Sequence, residues 1–378
     1  MPSVLKFLSA VVLAFAGIAS LHAQATDATI CDILAAPKSF DGKIVRIKGT
    51  VIAGFDEFSI RDTSCNRPIN AIWLAYPEGT KGKAGPVAIL TLQLAKNSPG
   101  EATAPRPAVT LDKSADFTNF DTLLSTPVKT PGRCLGCVRS TVTATLTGRI
   151  DAVAEPTLKK DASGKFTEVT GFGNLNKYPA RLVLQAVAEV AAQEIDYSKS
   201  AKLPKNDSDN TKGDPVAGAH AAAKVFGAGN PAGDQIERAA AAFGKQGEDN
   251  GVGVGFGSPG ELVPSEEGKG SGSSPDGLLY NTRFDMSRLK GNALAEAIVH
   301  EGQMIADLRA GHLSDNLYQL EGAAWQAMAL SVVANREKSY TLPDGGIAWS
   351  ANWTTEERGK AISAAIDIYL NKWVGLER

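Results

Sequence analysis

The sequence predicts an α+β protein of two domains, an antiparallel β-barrel followed by a mostly helical domain. Apolar and polar residues alternate in short segments of the first half, as in strands with one buried face. A polar segment at 197–218, rich in Lys, Asp, Asn and Ser, then separates the halves. Beyond it, apolar residues recur at helical spacing. We therefore expect domains at 26–196 and 219–378, joined by a linker.

Residues 1–25 have the pattern of a cleavable signal peptide. Lys6 precedes an apolar run at 7–21, and small residues follow in the order Ala23-Gln24-Ala25. The run is shorter than the roughly 20 residues that a membrane-spanning helix needs. We expect cleavage after Ala25, or else after Ala23, and a protein without a membrane span that works in the periplasm or outside the cell.

Composition narrows the classes of partner. The chain has 378 residues and a formal net charge of −2, with charges of both signs interspersed. This distribution lacks the basic stripe of a nucleic-acid-binding surface. We therefore predict no nucleic-acid partner and expect an unknown protein, peptide or glycan instead.

The four cysteines indicate two disulfides in an oxidising compartment. Our preferred pairing joins Cys31 to Cys65 and Cys134 to Cys137. The second pair also has the spacing of a redox motif or of half a zinc ribbon. However, its flanks suggest a turn entering a strand, and a second zinc-binding pair is missing. A structural disulfide is the preferred interpretation.

Five segments of the first half are predicted to be strands. They lie at 44–51, 57–61, 71–76, 142–150 and 180–190. Five strands in an antiparallel order suit an OB-type barrel. The pattern Cys-Asp-Ile-Leu-x5-Phe-Asp-Gly-Lys-x-Val-Arg-Ile-Lys-Gly-Thr-Val at 31–51 resembles OB-like modules of exported bacterial proteins, and this resemblance covers about 26–196. We expect an insertion at 77–133 with one extra strand at 87–94, and we assign Trp73 to the core.

The second half begins with two Ala-rich helical segments and a glycine-dense strand. The helices are predicted at 220–226 and 235–243, and the strand at 251–257. Residues 255–260 match the spacing of a dinucleotide fingerprint. Pro259 and Pro264 nevertheless prevent the helix that would hold a pyrophosphate. We interpret the segment as a strand followed by a loop.

A strand is predicted at 278–286, and a buried helix is predicted to begin near Asn292. This helix carries the most informative chemistry of the sequence. The helix contains His300-Glu-Gly-Gln-Met304. His300, Met304 and Asp307 share one face of it, at spacings of i, i+4 and i+7. Further helices are predicted at 317–335 and after the capping box at 354–357.

This segment resembles the zincin metallopeptidases, in which two histidines at i and i+4 bind zinc and the intervening glutamate is the general base. The resemblance covers roughly 275–335. It implies that His300 and Glu321 are metal ligands, that Glu301 is the catalytic base and that Asp307 is a supporting acid. Met304 is a degenerate ligand position, because a neutral thioether suits copper(I) better than zinc(II).

Four interpretations follow from this broken motif. The first is a noncatalytic, zincin-like pseudoenzyme without a cofactor, which acts in binding or scaffolding together with the OB-like module. The second is a zinc site formed by His300, Glu321 and either His312 or water. The third is a divergent zinc-dependent peptidase that uses a substitute third ligand, and the fourth is an unrelated helix bundle. His312 lies twelve residues after His300, about 120° around a regular helix.

Overall fold

A computed structural model describes residues 25–67, 69–80, 82–94, 106–126, 140–194, 216–245, 247–248, 250–257, 278–286, 288–289, 291–312, 317–336, 339–341 and 348–350. Four predictions lie outside these ranges: the signal peptide up to residue 24, the pair Cys134 and Cys137, most of the linker, and the last helix.

Strands and helices alternate irregularly along the described chain. The strands are β1 (Thr26–Asp27), β2 (Ile44–Ala53), β3 (Phe58–Arg61), β4 (Ala71–Ala75), β5 (Ala88–Leu94), β6 (Ser140–Ala152), β7 (Thr157–Lys160), β8 (Phe166–Thr170), β9 (Ala180–Glu194), β10 (Val252–Gly257), β11 (Leu278–Asp285), β12 (Ser339–Thr341) and β13 (Ala348–Ser350). The α-helices are α1 (Ile30–Ala35), α2 (Pro37–Phe40), α3 (Ala115–Ser125), α4 (Ala217–Val225), α5 (Pro231–Ala241), α6 (Asn292–Arg309) and α7 (Leu317–Arg336). A short 3-10 helix spans Asn174–Asn176.

The first half forms a closed, five-stranded barrel in a mixed α/β structure. Its strands pair in the order β2, β3, β4, β9 and β6, and β6 returns to β2. The five strands predicted from alternation are confirmed. The antiparallel order is wrong in one pair, because β4 and β9 run parallel, with Trp73 opposite Arg181. A closed ring with an odd number of strands cannot be antiparallel throughout.

Two additions complete the barrel core. Helix α3, which the sequence analysis did not predict, contributes Phe117 and Phe120 to the cluster that also contains Trp73. A disulfide between Cys31 and Cys65 joins α1 to the loop after β3, with the Cα atoms 5.4 Å apart. The predicted pairing of these two cysteines and the core position of Trp73 are confirmed.

Strand β5 leaves the barrel and joins the second half of the chain. It pairs antiparallel with β11, with Leu90 opposite Thr282, and β10 pairs parallel with the other edge of β11. Leu90 and Leu92 belong to the same core as Tyr280 and the helices α4 to α7. A strand at 87–94 was predicted, but its partner was not. The helical core therefore includes a strand from the N-terminal half.

Helices α4, α5 and α7 pack around α6, which is buried over most of its length. Its burial depends on Gly302, because a Cβ atom there would lie 2.1 Å from the carbonyl oxygen of Ala239 in α5. Glycine allows the two helices to approach this closely. No helix within the described residues is long and apolar enough to cross a membrane.

Candidate functional site

The turn between β2 and β3, residues 54–57, inserts into the helical core, and we call it the hairpin tip. The Gly54 N–H donates to the carbonyl oxygen of Glu57 at 2.8 Å, which closes the turn. The carbonyl oxygen of Phe55 accepts hydrogen bonds from the N–H groups of Val87 and Ala88, at the start of β5, at 2.6 and 2.9 Å. The Phe55 side chain belongs to the core of the helices and not to that of the barrel.

Helices α6 and α7 place three polar side chains near this hairpin tip. His300, Glu301 and Glu321 are all 0% exposed, as is Asp56 of the tip. His300 Nε2 lies 3.8 Å from Glu321 Oε2. The two residues predicted as metal ligands are therefore neighbours on adjacent helices.

Aromatic rings enclose the imidazole of His300. The ring centroid of Phe55 lies 4.9 Å from that of His300, and the Trp325 centroid lies 4.7 Å from it. Phe55 and Trp325 are themselves 5.2 Å apart. Each pair has an edge-to-face arrangement, which is favourable for aromatic rings. The hairpin tip and α7 thus cover the histidine with apolar surface.

Asn174 links the two carboxyl groups of the site. Its Nδ2 donates to Asp56 Oδ2 at 3.1 Å and to Glu321 Oε1 at 3.3 Å. Its Oδ1 accepts a hydrogen bond from the N–H of Leu90 in β5 at 2.9 Å. One buried amide therefore holds the barrel, β5 and α7 in a fixed arrangement.

The backbone around Asn174 is strained. Leu175 and Asn176 both have φ of 54°, a left-handed conformation that costs an L-residue roughly 1–2 kcal/mol. Gly173 precedes them with φ of 72°, and a Cβ atom there would lie 2.4 Å from Cε3 of Trp73. Such strain persists where the surrounding structure enforces it, often at functional sites.

Burial disfavours the charged forms of the site residues. It lowers the pKa of His300 to about 3, opposed only in part by the backbone of Ala324. Burial also raises the pKa of Glu301 well above its usual value, and the charges of Asp56 and Glu321 act in the same direction. The imidazole is therefore neutral at ordinary pH, the state in which histidine binds metals.

The pKa of Glu321 is raised, like that of Glu301. Burial raises its pKa well above the usual value, and the charge of Asp56 adds to this increase, while the charge of Lys177 opposes it. Lys177 is itself buried, and its Nζ makes no hydrogen bond within the described residues. Two close carboxyl groups cannot both ionise without a large electrostatic cost.

A second cluster of buried polar side chains, formed by Glu57, Ser59 and Tyr178, lies on the barrel side of the hairpin tip. The Glu57 carboxylate accepts hydrogen bonds from the hydroxyl groups of Ser59 and Tyr178. Burial, followed by the charge of Glu57, raises the pKa of Tyr178 well above its usual value. These contacts fix the position of Glu57 and hold the tip in its turn.

The structure brings some of the predicted site residues together and leaves others apart. His300, Glu301 and Glu321 meet at the hairpin tip, whereas Met304 is buried in the helical core. Asp307 accepts a hydrogen bond from Gln303 at 2.9 Å and faces His312 Nδ1 at 3.8 Å. The His312 side chain is 71% exposed. It lies at the surface and does not replace the second histidine of the motif.

Asp56 and Asn174 are site residues that the sequence analysis missed. Asp56 offers a carboxylate oxygen within 4.8 Å of donor atoms on His300 and Glu321. Phe55 beside two acids in a short turn was the available signal for burial, since a solvated turn has no need of a phenylalanine, but it does not indicate which elements bury the turn. Asn174 carried no comparable signal, because Asn is common in loops.

Comparison of the chain with protein-family models, curated proteins and solved structures finds no match.

Proposed function

We propose that the chain is an exported, noncatalytic protein that acts in binding or scaffolding. Its helical part resembles a zincin whose site is closed by the OB-like barrel. The supporting observation is the complete burial of Asp56, His300, Glu301 and Glu321 beneath Phe55 and Trp325. A peptide substrate would need open space at Glu301, and that side chain is fully buried.

Export rests on the N-terminal sequence. Thr26 and Asp27 pair with Val45 and Arg46 of the barrel, so cleavage after Ala25 would leave this pairing intact. Periplasmic or extracellular location also agrees with the disulfide between Cys31 and Cys65, because disulfides persist in oxidising compartments. The expected partner is a protein, peptide or glycan.

A divergent zinc-dependent peptidase is the second candidate function. It is favoured by Glu301, since neither carboxyl oxygen makes a hydrogen bond within the described residues although the group is fully buried. Such a group has no structural role that would explain its cost. Zinc would supply polarisation of a peptide carbonyl, and Glu301 would hold the proton. A substrate would reach Glu301 only after the hairpin tip moved away.

A peptide-cleavage assay separates the two candidates. The mature protein, with and without added Zn²⁺, is incubated with a mixed peptide library, and the products are identified by mass spectrometry. Glu301→Gln is the matched control, because it keeps the size of the side chain and removes the base. We expect the wild type to cleave no faster than this variant. Zinc-dependent cleavage that disappears in Glu301→Gln would contradict the noncatalytic proposal and establish the peptidase.

A further inference from the structure

Two buried side chains that face the hairpin tip, His300 and Glu321, are incompletely paired. Within the described residues, neither nitrogen of His300 makes a hydrogen bond of ordinary geometry, although the backbone of Ala324 acts on the imidazole. Oε2 of Glu321 makes none either, and its carboxyl group interacts with that of Asp56. Each buried polar group without a partner costs about 1–3 kcal/mol. Nearby carboxyl groups also repel one another when ionised. A cation between Asp56, His300 and Glu321 would remove both costs.

The donor atoms have a spacing that one ion can bridge. Zinc binds histidine nitrogen and carboxylate oxygen at about 2.0–2.2 Å, so two of its ligand atoms lie no more than about 4.4 Å apart. The separation of 3.8 Å between His300 Nε2 and Glu321 Oε2 is within this limit. The three donor atoms together lie within 4.8 Å of one another. To hold one ion, the most widely separated pair of donor atoms needs to approach by no more than about 0.4 Å.

The ligand chemistry indicates which ion would bind. One imidazole and two carboxylates suit a divalent first-row transition metal, and zinc accepts this mixture of nitrogen and oxygen. Calcium and magnesium prefer oxygen ligands alone. Asn174 donates one hydrogen bond to each carboxylate, as outer groups commonly do around metal ligands. Both acids are therefore oriented by the same amide.

We propose that Asp56, His300 and Glu321 bind one divalent ion of the zinc class, in a site shared between the barrel and the helices. Asp56 supplies the ligand that Met304 does not, and it comes from the other half of the chain. The ion holds the hairpin tip against α6 and α7. The site is independent of whether the protein hydrolyses peptides, so a failed cleavage assay and a failed metal assay have different meanings.

The test measures zinc content and zinc-dependent stability. The full mature protein is purified without chelator, equilibrated with Zn²⁺, freed of excess ion and analysed by mass spectrometry for metal. Thermal unfolding is then followed in Zn²⁺ and in EDTA. We expect near-stoichiometric zinc and a higher Tm in Zn²⁺, because an ion that binds only the folded state stabilises it. Wild-type protein without zinc would overturn the proposal.

Two ligand variants and one control make the result specific. Asp56→Asn and His300→Ala should weaken zinc binding by more than about 100-fold, beyond the usual loss for an outer partner, and should abolish the Tm difference. The control is Asp121→Asn, because Asp121 is a buried acid outside the site that binds the N–H groups of Lys83 and Ala84. It should keep the zinc and the Tm difference, even if its Tm is lower.

The Asp56→Asn variant also shows whether the barrel takes part. In EDTA it should unfold at or above the wild-type temperature, because the amide cannot repel Glu321 as a carboxylate does. This result would show that the variant folds and that its loss of zinc is a loss of binding. Zinc retained by Asp56→Asn at wild-type affinity would overturn the shared site.

Discussion

Asn174 connects three parts of the site through one uncharged side chain. Its amide group donates to Asp56 and Glu321, and its carbonyl oxygen accepts from the N–H of Leu90. Asn176, two residues later, accepts from the N–H of Leu92 at 2.7 Å. The side-chain oxygens of both residues therefore accept hydrogen bonds from the backbone N–H groups at the edge of β5, as a neighbouring strand would. Asn174 alone also contacts the two acids.

The pair Asn174 and Asn176 allows these two roles to be separated. We expect Asn174→Asp to lower the free energy of unfolding by about 1–3 kcal/mol more than Asn176→Asp. Both variants keep an oxygen for the β5 N–H, but only Asn174→Asp replaces a donor to two acids with a third acid. Urea unfolding at neutral pH measures the difference. Equal losses in the two variants would mean that the contacts of Asn174 with Asp56 and Glu321 do not stabilise the fold.

The site residues differ in how visible they are in the sequence. His300 stands on a helix with regular apolar spacing, and the resemblance to zincins implied that Glu321 of the next helix lies beside it. Asp56 lies in a turn, where acidic residues are common and usually solvated. Its burial results from the insertion of the tip between helices that lie far away in the chain, and local pattern contains no information on such a contact.

Ion pairs at the ends of β6 and β9 stabilise the barrel at the level of its elements. The buried Asp151 carboxylate lies 2.8 Å from Arg149 Nε and 2.9 Å from Arg181 Nη2. Arg106 approaches the same carboxylate at 3.5 Å and also pairs with Asp41. Burial alone would raise the pKa of Asp151, but its bonds to the arginines are stronger in sum and lower it.

This arrangement predicts a dependence of barrel stability on pH. The folded pKa of Asp151 is below the unfolded value of 3.8, so its stabilising contribution is complete above that pH and is lost as the pH falls through the folded pKa. Asp151→Asn should cost about 3 kcal/mol at neutral pH, because it leaves partly buried arginines unpaired. The difference from wild type should shrink below pH 3.8.

Chemical denaturation of both proteins between neutral and acidic pH tests this expectation. Glu155→Gln is the control, since Glu155 is an exposed acid just before β7, where solvent screens its charge. It should have little effect at any pH. A difference between wild type and Asp151→Asn that stays constant down to acidic pH would rule out the ion pairs as its cause.

Strands with alternating polarity were predictable, and elements without such a pattern were not. The segments at 44–51 and 142–150 have one buried face, which period-two alternation reports directly. Helix α3 has the polar sequence Ala-Asp-Phe-Thr-Asn-Phe-Asp-Thr-Leu-Leu-Ser, and it depends on the Ser114 cap and on packing against the barrel. The strands of the β7–β8 hairpin are short, most of their residues are only partly buried, and Phe166 alone among them is buried. Tertiary contacts determine both of these elements.

At the scale of the whole molecule, the core of the helices contains side chains from both halves of the chain. Strand β5 lies in the sheet of β11, and Phe55 packs on His300 and Trp325. A polar segment at 197–218 predicted separate domains, because such composition is typical of linkers. Composition describes local solvation, however, and not which strands pair. The site is formed at this shared contact, and neither half contains all of its side chains.

Phe55 should therefore control the stability of the helical part more than that of the barrel. Phe55→Ala removes a fully buried ring from the helical core, a change that typically costs about 3–5 kcal/mol. We expect amide hydrogens of α6 and α7 to exchange faster in this variant, while those of β6 and β9 keep most of their protection. Hydrogen exchange with mass spectrometry resolves these peptides. Phe117→Ala is the matched control, since Phe117 lies in the barrel core alone, and it should give the opposite pattern. If Phe55→Ala and Phe117→Ala accelerated exchange equally in both halves, the molecule would unfold as a single cooperative unit, and the hairpin tip would not be a separable connection between them.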